Sequence, residues 1–363
     1  IRPENTLEDF IINRFGRELY ATFFRDYTEK VWGVPCHEIS AEWGAQRIKG
    51  LSLTGIVKHA FSSLWRSSSV DQKNTETSLI EHFLYPKYGP GHMWQQVVRE
   101  IEKKGGVVRF GCRVTGFAHA DGKVTSVDVE SNGGTETLTG DYVFSTMAIK
   151  DLVQGIIPEA PDDVSEVAEG LMYRDFITVG VLLDRTELGG GANGAELAER
   201  VPDNWIYVQE PDVQVGRLQI FNNWSPYMVA DPATVWLGME YFCAEGDDLW
   251  CMEDEALKSF AVQELDKINV ARPQAVKSAV VIRMPKTYPA YFGSYPRFDV
   301  VRKYLDQWDN FFPLGRNGMH RYNNQDHSML TAMMAVDQII DGKLDRDASW
   351  SVNTEAEYHE EKQ

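Results

Sequence analysis

The region between Asp175 and Met284 constrains the fold most, because it contains five well separated stretches with the composition of β-strands. Turn residues separate these stretches, and apolar and polar side chains alternate along them. One helical pattern, around Glu253–Ile268, interrupts the series. This spacing and alternation predict an antiparallel sheet. The predicted strands are Phe176–Leu183, Trp205–Gln209, Arg217–Asn222, Val235–Phe242 and Ala279–Met284.

The first eighty residues are predicted to be mainly helical. Thr6 is a typical N-cap residue, and apolar side chains recur near helical spacing from Leu7 to Tyr27. This pattern predicts either one long helix or two helices broken near Gly16. A further helix is expected around Ile56–Trp65, and the segment that follows it is polar enough to form an exposed loop.

A different pattern begins at Tyr85, where prolines and glycines lead into a helix that ends at Gly105. Short strand patterns follow, and Asp121-Gly122 between two of them is a strong signal for a two-residue hairpin turn. The strands predicted here are Val107–Phe110, Arg113–Phe117, Lys123–Val129 and Asp141–Ser145. Later in the chain the pattern predicts a helix near Val300, a short strand at Phe311–Leu314 and a closing helix at His327–Ile340.

The charge balance excludes two classes of partner. The chain has 36 basic and 54 acidic residues, which gives a formal net charge of −18. Such a surface opposes a nucleic-acid backbone or an anionic membrane, so any anionic ligand must meet a local cluster of arginines. The longest apolar run, near Phe176–Leu183, is too short to span a membrane, and no signal peptide opens the chain. We therefore expect a cytoplasmic protein without nucleic-acid or membrane partners.

The cysteines give no sign of a metal site or a disulfide framework. The chain has four of them, and none lies in a C-x-x-C pair or at zinc-ligand spacing from a histidine. We expect thiols in a reducing compartment and no bound metal.

The usual catalytic templates are absent from the sequence. It contains no G-x-S-x-G, no H-E-x-x-H, no P-loop, and no G-x-G-x-x-G between a strand and a helix. Either the protein is not an enzyme, or a cofactor carries the chemistry while the protein orients it. Three segments favour the second possibility.

The first two segments are rich in aromatic residues or glycine. Tyr27 and Trp32 lie in Y-T-E-K-V-W-G at a predicted helix end, where they either stack on a planar base or pack in the core. Gly89 and Gly91 lie in Y-G-P-G-H-M before a helix N-terminus, where backbone N–H groups favour an anion, although a plain turn explains the glycines equally well.

The third segment, Gly315–His327, is the densest polar run in the chain. Its arginines match phosphate oxygens, and its asparagines and glutamine serve as donors and acceptors for sugar hydroxyls. The alternative is a solvated loop with an ordinary helix cap. The residue types therefore predict a pyrophosphate and sugar site, with a structural loop as the open alternative.

The order of these motifs resembles that of the flavoproteins of the UDP-galactopyranose mutase and amine-oxidase superfamily. The motifs are Y-T-E-K-V-W-G, R-I-K-G-L, Y-P-K-Y-G-P-G-H-M-W, S-T-M-A and G-R-N-G-M-H-R-Y-N-N-Q-D. The resemblance covers residues 4 to 342 and implies that the protein binds FAD. It is closest to mutase-like, FAD-dependent oxidoreductases of bacteria.

The resemblance implies roles for individual residues. The residues matched to substrate contacts are Tyr27 and Trp32 at the uracil, and Arg217 and Tyr322 at the diphosphate. The residues matched to the cofactor are Gly89, Gly91, His92 and Met93 along the flavin, Val114 at the adenine, Arg316 at the flavin and pyrophosphate, and Asn324, Gln325 and Asp326 at the ribityl chain and pyrophosphate. Catalytic side chains are not assigned, because the reduced flavin is the reactive group in this family.

Two departures from the family qualify the resemblance. His320 stands where mutases have a tyrosine, and Asn323-Asn324-Gln325 replaces Tyr-Asp-Met, which leaves the substrate open. The family also begins with a strand, a G-x-G-x-x-G turn and a helix, which these 363 residues lack. We therefore expect an α/β (α+β) fold with an incomplete Rossmann-type FAD-binding domain, an antiparallel substrate-domain sheet and a helical region.

The expected domain organisation alternates between cofactor and substrate regions. Its parts are a mainly helical cleft region at 1–80, a portion of the FAD domain with a β-meander at 81–150, the antiparallel substrate domain at 151–290, a return to the FAD domain at 291–345, and an acidic tail at 346–363.

Three functions follow from the resemblance. The first is a flavin-dependent enzyme that acts on a nucleotide-activated sugar through reduced FAD. The second is an FAD-dependent amine oxidase or desaturase, whose site is expected to be apolar rather than lined by arginines. The third is a truncated, non-catalytic module, which the absent dinucleotide motif favours.

Overall fold

The structure is a computed structural model that describes residues 3–41, 44 and 84–352. These residues form a mixture of helices and strands, which confirms the predicted α/β class. They divide into two compact units. Unit 1 holds residues 3–41, 44, 84–107 and 174–285, and unit 2 holds residues 108–173 and 286–352. The domain boundaries expected from the sequence stay predictions.

The strands in the described part of the chain are numbered in sequence order. They are β1 Cys112–Ala120, β2 Lys123–Ser131, β3 Gly134–Leu138, β4 Val143–Ser145, β5 Ile156–Ile157, β6 Leu171–Leu183, β7 Trp205–Tyr207, β8 Arg217–Ile220, β9 Val235–Cys243, β10 Val276–Gly293 and β11 Phe311–Pro313.

The helices range from single turns to seventeen residues. The longer ones are Leu7–Phe15, Arg25–Trp32, Pro90–Lys103, Ile149–Gln154, Asp162–Glu169, Gly194–Arg200, Asp254–Lys267, Asp299–Leu305, Gln325–Asp341 and Arg346–Ser351. The short ones are Arg17–Leu19, Leu188–Gly191, Phe221–Trp224, Asp248–Cys251 and Gly315–Gly318, with a π-helix at Tyr20–Phe24 and 3-10 turns at Pro273–Ala275 and Tyr295–Arg297.

The N-terminal helical pattern is broken at Gly16, one of the two arrangements that the sequence allowed. The helix Leu7–Phe15 begins with a capping box in which Thr6 and Asp9 satisfy each other's backbone N–H groups. It ends at Gly16, whose φ of 86° suits glycine and disfavours other residues. The predicted helix at 56–65 lies outside the described residues.

Unit 1 contains the predicted antiparallel sheet, with the strand order β10-β6-β9-β8-β7. The pairs β6–β9, β8–β9 and β7–β8 are antiparallel. Side chains alternate between the two faces of such a sheet. One face, which includes Val179, Leu218, Met239 and Tyr241, is fully buried in a core that also contains Leu257 of the helix Asp254–Lys267.

Unit 2 contains two small sheets. β1, β2 and β3 form an antiparallel meander, and β5 pairs in parallel with β1. The predicted hairpin turn between β1 and β2 is confirmed, since Asp121 and Gly122 both have a positive φ. β4 and β11 form a separate parallel pair.

Several sequence predictions of local structure need correction. Val107–Phe110 is not a strand but an irregular segment, and Val107 and Phe110 are 79% and 82% exposed. Because no other element covers these apolar side chains, their burial does not stabilise a strand here. The first strand begins at Cys112. The sequence patterns also missed β3 and the helices Ile149–Gln154 and Asp162–Glu169.

Two negative findings apply to the described residues. None of their helices is both long and apolar enough to cross a membrane. No group of three or more His, Cys, Asp or Glu side chains among residues 3–41, 44 and 84–352 is arranged to hold a metal ion.

Asn310 connects β2 to the segment before β4. Its side chain accepts a hydrogen bond from Val124 N and donates to Val124 O, each at 2.8 Å, and it also donates to Asp141 O at 3.2 Å. Val124 is 2% exposed, so water does not replace these bonds.

The first prediction follows from this amide. Asn310→Ala leaves the backbone N–H and C=O of Val124 buried and unpaired, at about 1–3 kcal/mol for each group. We expect the free energy of unfolding in urea to fall by roughly 3 kcal/mol. Gln307→Ala, an exposed control on the same connection, should change it by less than about 0.5 kcal/mol. A loss for Asn310→Ala no larger than that of the control would contradict the assignment.

His320 is a buried residue of unit 2. It is 0% exposed, its φ is 44°, and its Nε2 lies 3.0 Å from Ala290 O. The rings of Tyr173, Tyr295 and Phe298 surround it, with centroids 4.8, 5.8 and 5.9 Å away. Burial lowers the pKa of His320 to about 4, so the imidazole is neutral at physiological pH.

The second prediction concerns pH. In the unfolded chain a histidine binds its proton near pH 6.5, whereas folded His320 resists protonation down to about pH 4. The unfolded state therefore binds more protons between these values, and stability falls as pH decreases from 6.5 to 4, by about 3 kcal/mol. His320→Asn, which tolerates a positive φ, should flatten this decrease, while His37→Asn, at an exposed site, should not. The measurement is the free energy of unfolding in urea between pH 6.5 and pH 4. If wild type and His320→Asn lose the same amount over this range, the prediction is wrong.

Candidate functional site

The face of the unit 1 sheet that points away from the buried core carries polar and aromatic side chains. We call it the aromatic face and define it by Trp205 and Tyr207 of β7, Arg217 and Gln219 of β8, and Glu240 of β9. The strand register brings them together, since Trp205 lies opposite Gln219, Tyr207 opposite Arg217, and Arg217 opposite Glu240. The same alternation that builds the core thus builds this face.

A buried carboxylate organises the polar part of the aromatic face. Glu240, 1% exposed, accepts a hydrogen bond from Arg217 Nε on one oxygen and from Gln219 Nε2 on the other. Burial raises the pKa of Glu240, and the ion pair with Arg217 opposes this rise. The Arg217 guanidinium also lies 5.1 Å from the centroid of the Trp205 ring.

Two glycines face each other beside this polar group. Gly180 of β6 pairs with Gly238 of β9. A Cβ at Gly180 would lie 3.0 Å from the Trp236 ring, and one at Gly238 would lie 2.9 Å from the Phe221 ring. The two rings therefore occupy the space that larger residues would need, and larger side chains at either position would displace them.

The helix Arg25–Trp32 is held against the connection between β7 and β8. Lys30 Nζ donates hydrogen bonds to Val208 O at 3.0 Å, Glu210 O at 3.1 Å and Val215 O at 3.0 Å. At the C-terminal end of the helix, Arg174 Nε donates to Val31 O at 2.8 Å. Several residues of the Y-T-E-K-V-W-G motif thus have structural contacts that fix the position of the helix.

The two predicted base-stacking residues of this helix lie in different surroundings. The ring of Tyr27 is perpendicular to Tyr207, with centroids 4.9 Å apart, so it adjoins the aromatic face. Trp32 is 2% exposed and belongs to the buried core. Tyr27 thus contacts Tyr207, the residue opposite Arg217 in the sheet, whereas the Trp32 ring is almost fully covered. Their uracil contacts stay predictions.

The predicted flavin-binding segment Gly89–Met93 is also in unit 1. Gly89 is buried, has a φ of 85° and precedes the helix Pro90–Lys103, and a Cβ there would lie 3.1 Å from Met228 Sδ. Gly91 is exposed, and His92 and Met93 are half-buried. The Tyr85 ring stacks on Trp224 at 5.2 Å, and Trp224 contacts Trp205 at 4.9 Å. Aromatic contacts therefore link the start of this segment to the aromatic face.

The predicted polar segment of unit 2 follows the carboxyl end of β11. It lies against the end of β4, since a Cβ at Gly318 would clash with Ser145 O. Two buried amide atoms here, Asn317 Oδ1 and Asn323 Nδ2, have no hydrogen-bond partner among the described residues. Ligands of parallel sheets bind at the carboxyl ends of strands, so these atoms lie where a polar ligand is expected.

Arg316 is held by backbone carbonyls and tyrosines. Its Nε and Nη2 donate to Asn323 O at 2.9 and 2.6 Å, and its Nη1 donates to Thr287 O at 3.1 Å. Its guanidinium lies 4.6 Å from the Tyr322 ring and 5.4 Å from the Tyr288 ring. The two rings are parallel within 9°. Arg316 and Tyr322 are therefore in contact, and their predicted ligand roles stay predictions.

The remaining predicted cofactor residues of unit 2 lie at a helix start and on a strand. Asn324, Gln325 and Asp326 are exposed at the beginning of the helix Gln325–Asp341, whose N-cap Asn324 makes no capping hydrogen bond with its side chain. Val114 is half-buried in β1 and pairs with Val129 of β2. A long helix with an uncapped N-terminus can bind an anion.

The sequence reasoning missed four members of the aromatic face, namely Trp205, Tyr207, Gln219 and Glu240. Their strands were predicted, and alternation places Arg217 and Gln219 on one face. The register between β8 and β9, which pairs Arg217 with Glu240, has no signature in the sequence. A carboxylate within the apolar run Val235–Phe242 was the available signal.

Solved structures that are similar to this chain include the following three, although no protein-family model matches it. Reduced UDP-galactopyranose mutase aligns with a TM-score of 0.73 at 20% identity, over 97% of this chain and 70% of its own. Putrescine oxidase bound to putrescine aligns with a TM-score of 0.57 at 13% identity, over 93% of this chain and 68% of its own. A CLA-producing fatty acid isomerase from P. acnes aligns with a TM-score of 0.53 at 12% identity, over 92% of this chain and 66% of its own.

The chain therefore spans 66–70% of the length of these three proteins. At such low identities the likeness concerns the fold alone. The resemblance noted in the sequence is confirmed at this level: this chain has the fold seen in UDP-galactopyranose mutase and putrescine oxidase.

Proposed function

We propose that this protein is a flavin-dependent enzyme of the mutase type, acting on a nucleotide-activated sugar with FAD as its cofactor. The observation that carries the proposal is the position of Arg217, which lies on the aromatic face between Trp205, Tyr207 and Glu240. Guanidinium groups bind diphosphate oxygens, and aromatic rings stack on a planar base. In a chain with a net charge of −18, an anionic substrate requires local arginine donors, and Arg217 supplies one.

The polar segment of unit 2 fits the polar part of FAD. The unpaired Asn317 Oδ1 and Asn323 Nδ2 offer an acceptor and a donor for ribityl hydroxyls, and the uncapped start of the helix Gln325–Asp341 suits a pyrophosphate. Arg316 and Asp326 would complete this site. Bound reduced FAD would supply the nucleophile and the proton carrier of the mutase reaction, which explains why no catalytic acid or base is needed from the protein.

We further propose that β4 and β11 belong to a larger parallel sheet of the dinucleotide-binding type. Parallel sheets normally have both faces covered. Phe144 of β4 is 43% exposed, and the helix Gln325–Asp341 has a stripe of exposed apolar side chains at helical spacing. The stripe consists of Met329, Met333, Val336 and Ile340. These exposed apolar side chains are what supports this proposal, and the incomplete Rossmann-type domain expected from the sequence stays a prediction.

The protein's own residues have binding and orienting roles in this scheme. Arg217 holds the diphosphate, which keeps the leaving group in place between departure and return. The diphosphate contact of Tyr322, in unit 2, stays a prediction. Tyr27, Trp205 and Tyr207 contribute ring surfaces that bind the base and keep water away from it. Orientation and water exclusion are the contributions that such a reaction requires of the protein.

A second candidate, amine oxidation, is favoured by one observation. Glu240 places a carboxylate on the same face as Arg217 and cancels its charge while it is ionised. A face that carries a carboxylate beside its arginine attracts a cationic amine more than an arginine alone would. In the third candidate function, a non-catalytic module, neither unit 1 nor unit 2 would bind a substrate or cofactor.

The third prediction tests the cofactor. The gene product, purified whole, should retain FAD, seen as visible flavin absorption that remains after gel filtration. Arg316→Ala should lower the FAD-to-protein ratio several-fold, because its loop loses three hydrogen bonds to carbonyl oxygens. Arg297→Ala, at an exposed ion pair of unit 2, should leave the ratio unchanged. A colourless wild-type protein that takes up no added FAD would leave only the non-catalytic alternative.

The fourth prediction separates the two enzyme classes. Wild type should bind UDP-galactose in calorimetry and convert it under reducing conditions. Arg217→Ala should weaken this binding by about thirtyfold or more, since a buried charge-assisted contact is lost. Arg272→Ala removes an exposed arginine of unit 1 that pairs with Asp266 and serves as the control. Unchanged UDP-galactose binding in Arg217→Ala, together with turnover of an aliphatic diamine, would favour the oxidase.

A further inference from the structure

We propose that Lys30 and Glu264 are positioning residues that together hold the loop between β7 and β8, and so fix where the rings of Trp205 and Tyr207 lie on the aromatic face. We call residues 208–216 the β7–β8 loop. The inference rests on the proposed function for the identity of the ligand. It gives a role to two charged side chains that the predicted site does not include, and part of its test needs no substrate.

Lys30 binds the carbonyl groups of the β7–β8 loop. Its ammonium group donates to the oxygens of Val208 at 3.0 Å, Glu210 at 3.1 Å and Val215 at 3.0 Å. Val208 directly follows β7, and Val215 lies two residues before β8, so one ammonium group joins both ends of the loop. A Cβ at Gly216 would lie 3.7 Å from Lys30 Cδ, so the side chain of Lys30 runs beside the loop.

Glu264 binds the amide groups of the same loop. It belongs to the helix Asp254–Lys267 and is 5% exposed. One carboxylate oxygen accepts a hydrogen bond from Gln214 N at 2.5 Å, and the other accepts one from Val215 N at 3.0 Å. The N–H of Val215 is therefore bound by an anion and its C=O by the cation of Lys30, which leaves this part of the main chain little freedom to move.

The two charges are costly to hold in this position. Burial lowers the pKa of Lys30, and the carboxylate of Glu264 is the strongest charge that opposes this shift. Two apolar side chains would fill the same space without that cost, but they would leave three carbonyl and two amide groups of the loop without these partners. The arrangement thus favours a fixed main chain over simple packing.

β7 has few other contacts that could fix it. The strand is three residues long and pairs with β8 at the edge of the sheet formed by the described residues. Ile206 packs against the core, but Trp205 and Tyr207 are 43% and 52% exposed, so burial does not hold their rings in place. If the β7–β8 loop became mobile, binding of a ligand would have to order both rings, and affinity would fall.

The first test removes the ammonium group. Lys30→Met keeps an unbranched side chain but has no donor for the three carbonyl oxygens. We expect the KM for UDP-galactose to rise about tenfold and kcat to stay within about twofold, because the rings contribute to binding rather than to the chemical step. Lys30→Arg, which can still donate to these oxygens, should restore most of the KM. A purely structural role would instead lower kcat through the active fraction and leave KM unchanged.

The second test addresses Glu264 and remains informative if Lys30→Met does not fold. Glu264→Gln can accept from only one of the two amide groups, so KM should rise about threefold. The double variant should raise KM no further than Lys30→Met alone, because the two residues hold one loop. A KM effect that multiplies in the double variant would overturn joint action.

Thr186→Val is the control for lost stability in unit 1. Its buried hydroxyl donates to Val270 O and accepts from Leu188 N, neither of which belongs to the β7–β8 loop. This variant should unfold more easily in urea but keep the wild-type KM. A raised KM in Thr186→Val would overturn the inference, because any loss of stability would then suffice.

The third test follows hydrogen–deuterium exchange without any substrate. In Lys30→Met and Glu264→Gln, the backbone amides of β7 and of the β7–β8 loop should exchange several-fold faster than in wild type. The amides of β6 and β9 should keep their wild-type rates, since their pairing does not involve the loop. Thr186→Val should not show this local increase.

The outcomes distinguish this inference from the function on which it rests. Wild-type exchange in the β7–β8 loop of both variants would overturn the role of Lys30 and Glu264, whatever the substrate is. Faster exchange with an unchanged KM would overturn their role in positioning the rings. Faster exchange in a protein whose wild type binds no UDP-galactose would support the held loop and overturn the proposed substrate. Faster exchange with a raised KM that Lys30→Arg restores would support both.

Discussion

The two-residue period of the unit 1 sheet is the constraint on which the rest of the candidate site depends. Alternate side chains of each strand point to opposite faces of the sheet. The alternation that buries Leu218, Met239 and Tyr241 in the core therefore also places Arg217 and Glu240 on the other face. A shift of one residue between β8 and β9 would exchange the two faces. Because the core fixes this register, it also fixes the ion pair of the aromatic face.

The sequence predicted strands well where burial and alternation agree. The starts of β7, β8 and β9 lie where the pattern placed them, and the Asp121-Gly122 turn follows from the positive φ that both residues tolerate. The prediction failed at Val107–Phe110, since a run of apolar residues predicts burial only when another element is available to cover it. Pairing across strands, such as that of Arg217 with Glu240, depends on long-range register and could not be read from composition or spacing.

The motifs on which the family resemblance rests contain residues that stabilise the fold as well as residues of the candidate site. In Y-T-E-K-V-W-G, Lys30 and Trp32 serve packing and hydrogen bonding within unit 1, while Tyr27 contacts the aromatic face at Tyr207. In the Gly315–His327 segment, Arg316 is bound to carbonyl oxygens. Such residues preserve a fold, which explains how a chain can resemble enzymes with different substrates in the same motifs. Substrate identity must then depend on residues outside these motifs.

The ammonium group of Lys30 has a consequence for how unit 1 assembles. It joins carbonyls that are 178 to 185 residues away in sequence, on both sides of the connection between β7 and β8. Contacts of such high sequence separation close very long loops and are slow to form. The carbonyl groups of Val208, Glu210 and Val215 therefore have these partners only when the helix Arg25–Trp32 is docked. The edge of the sheet beside the aromatic face thus depends on a segment that is distant in sequence, although its own strands pair as local hairpins.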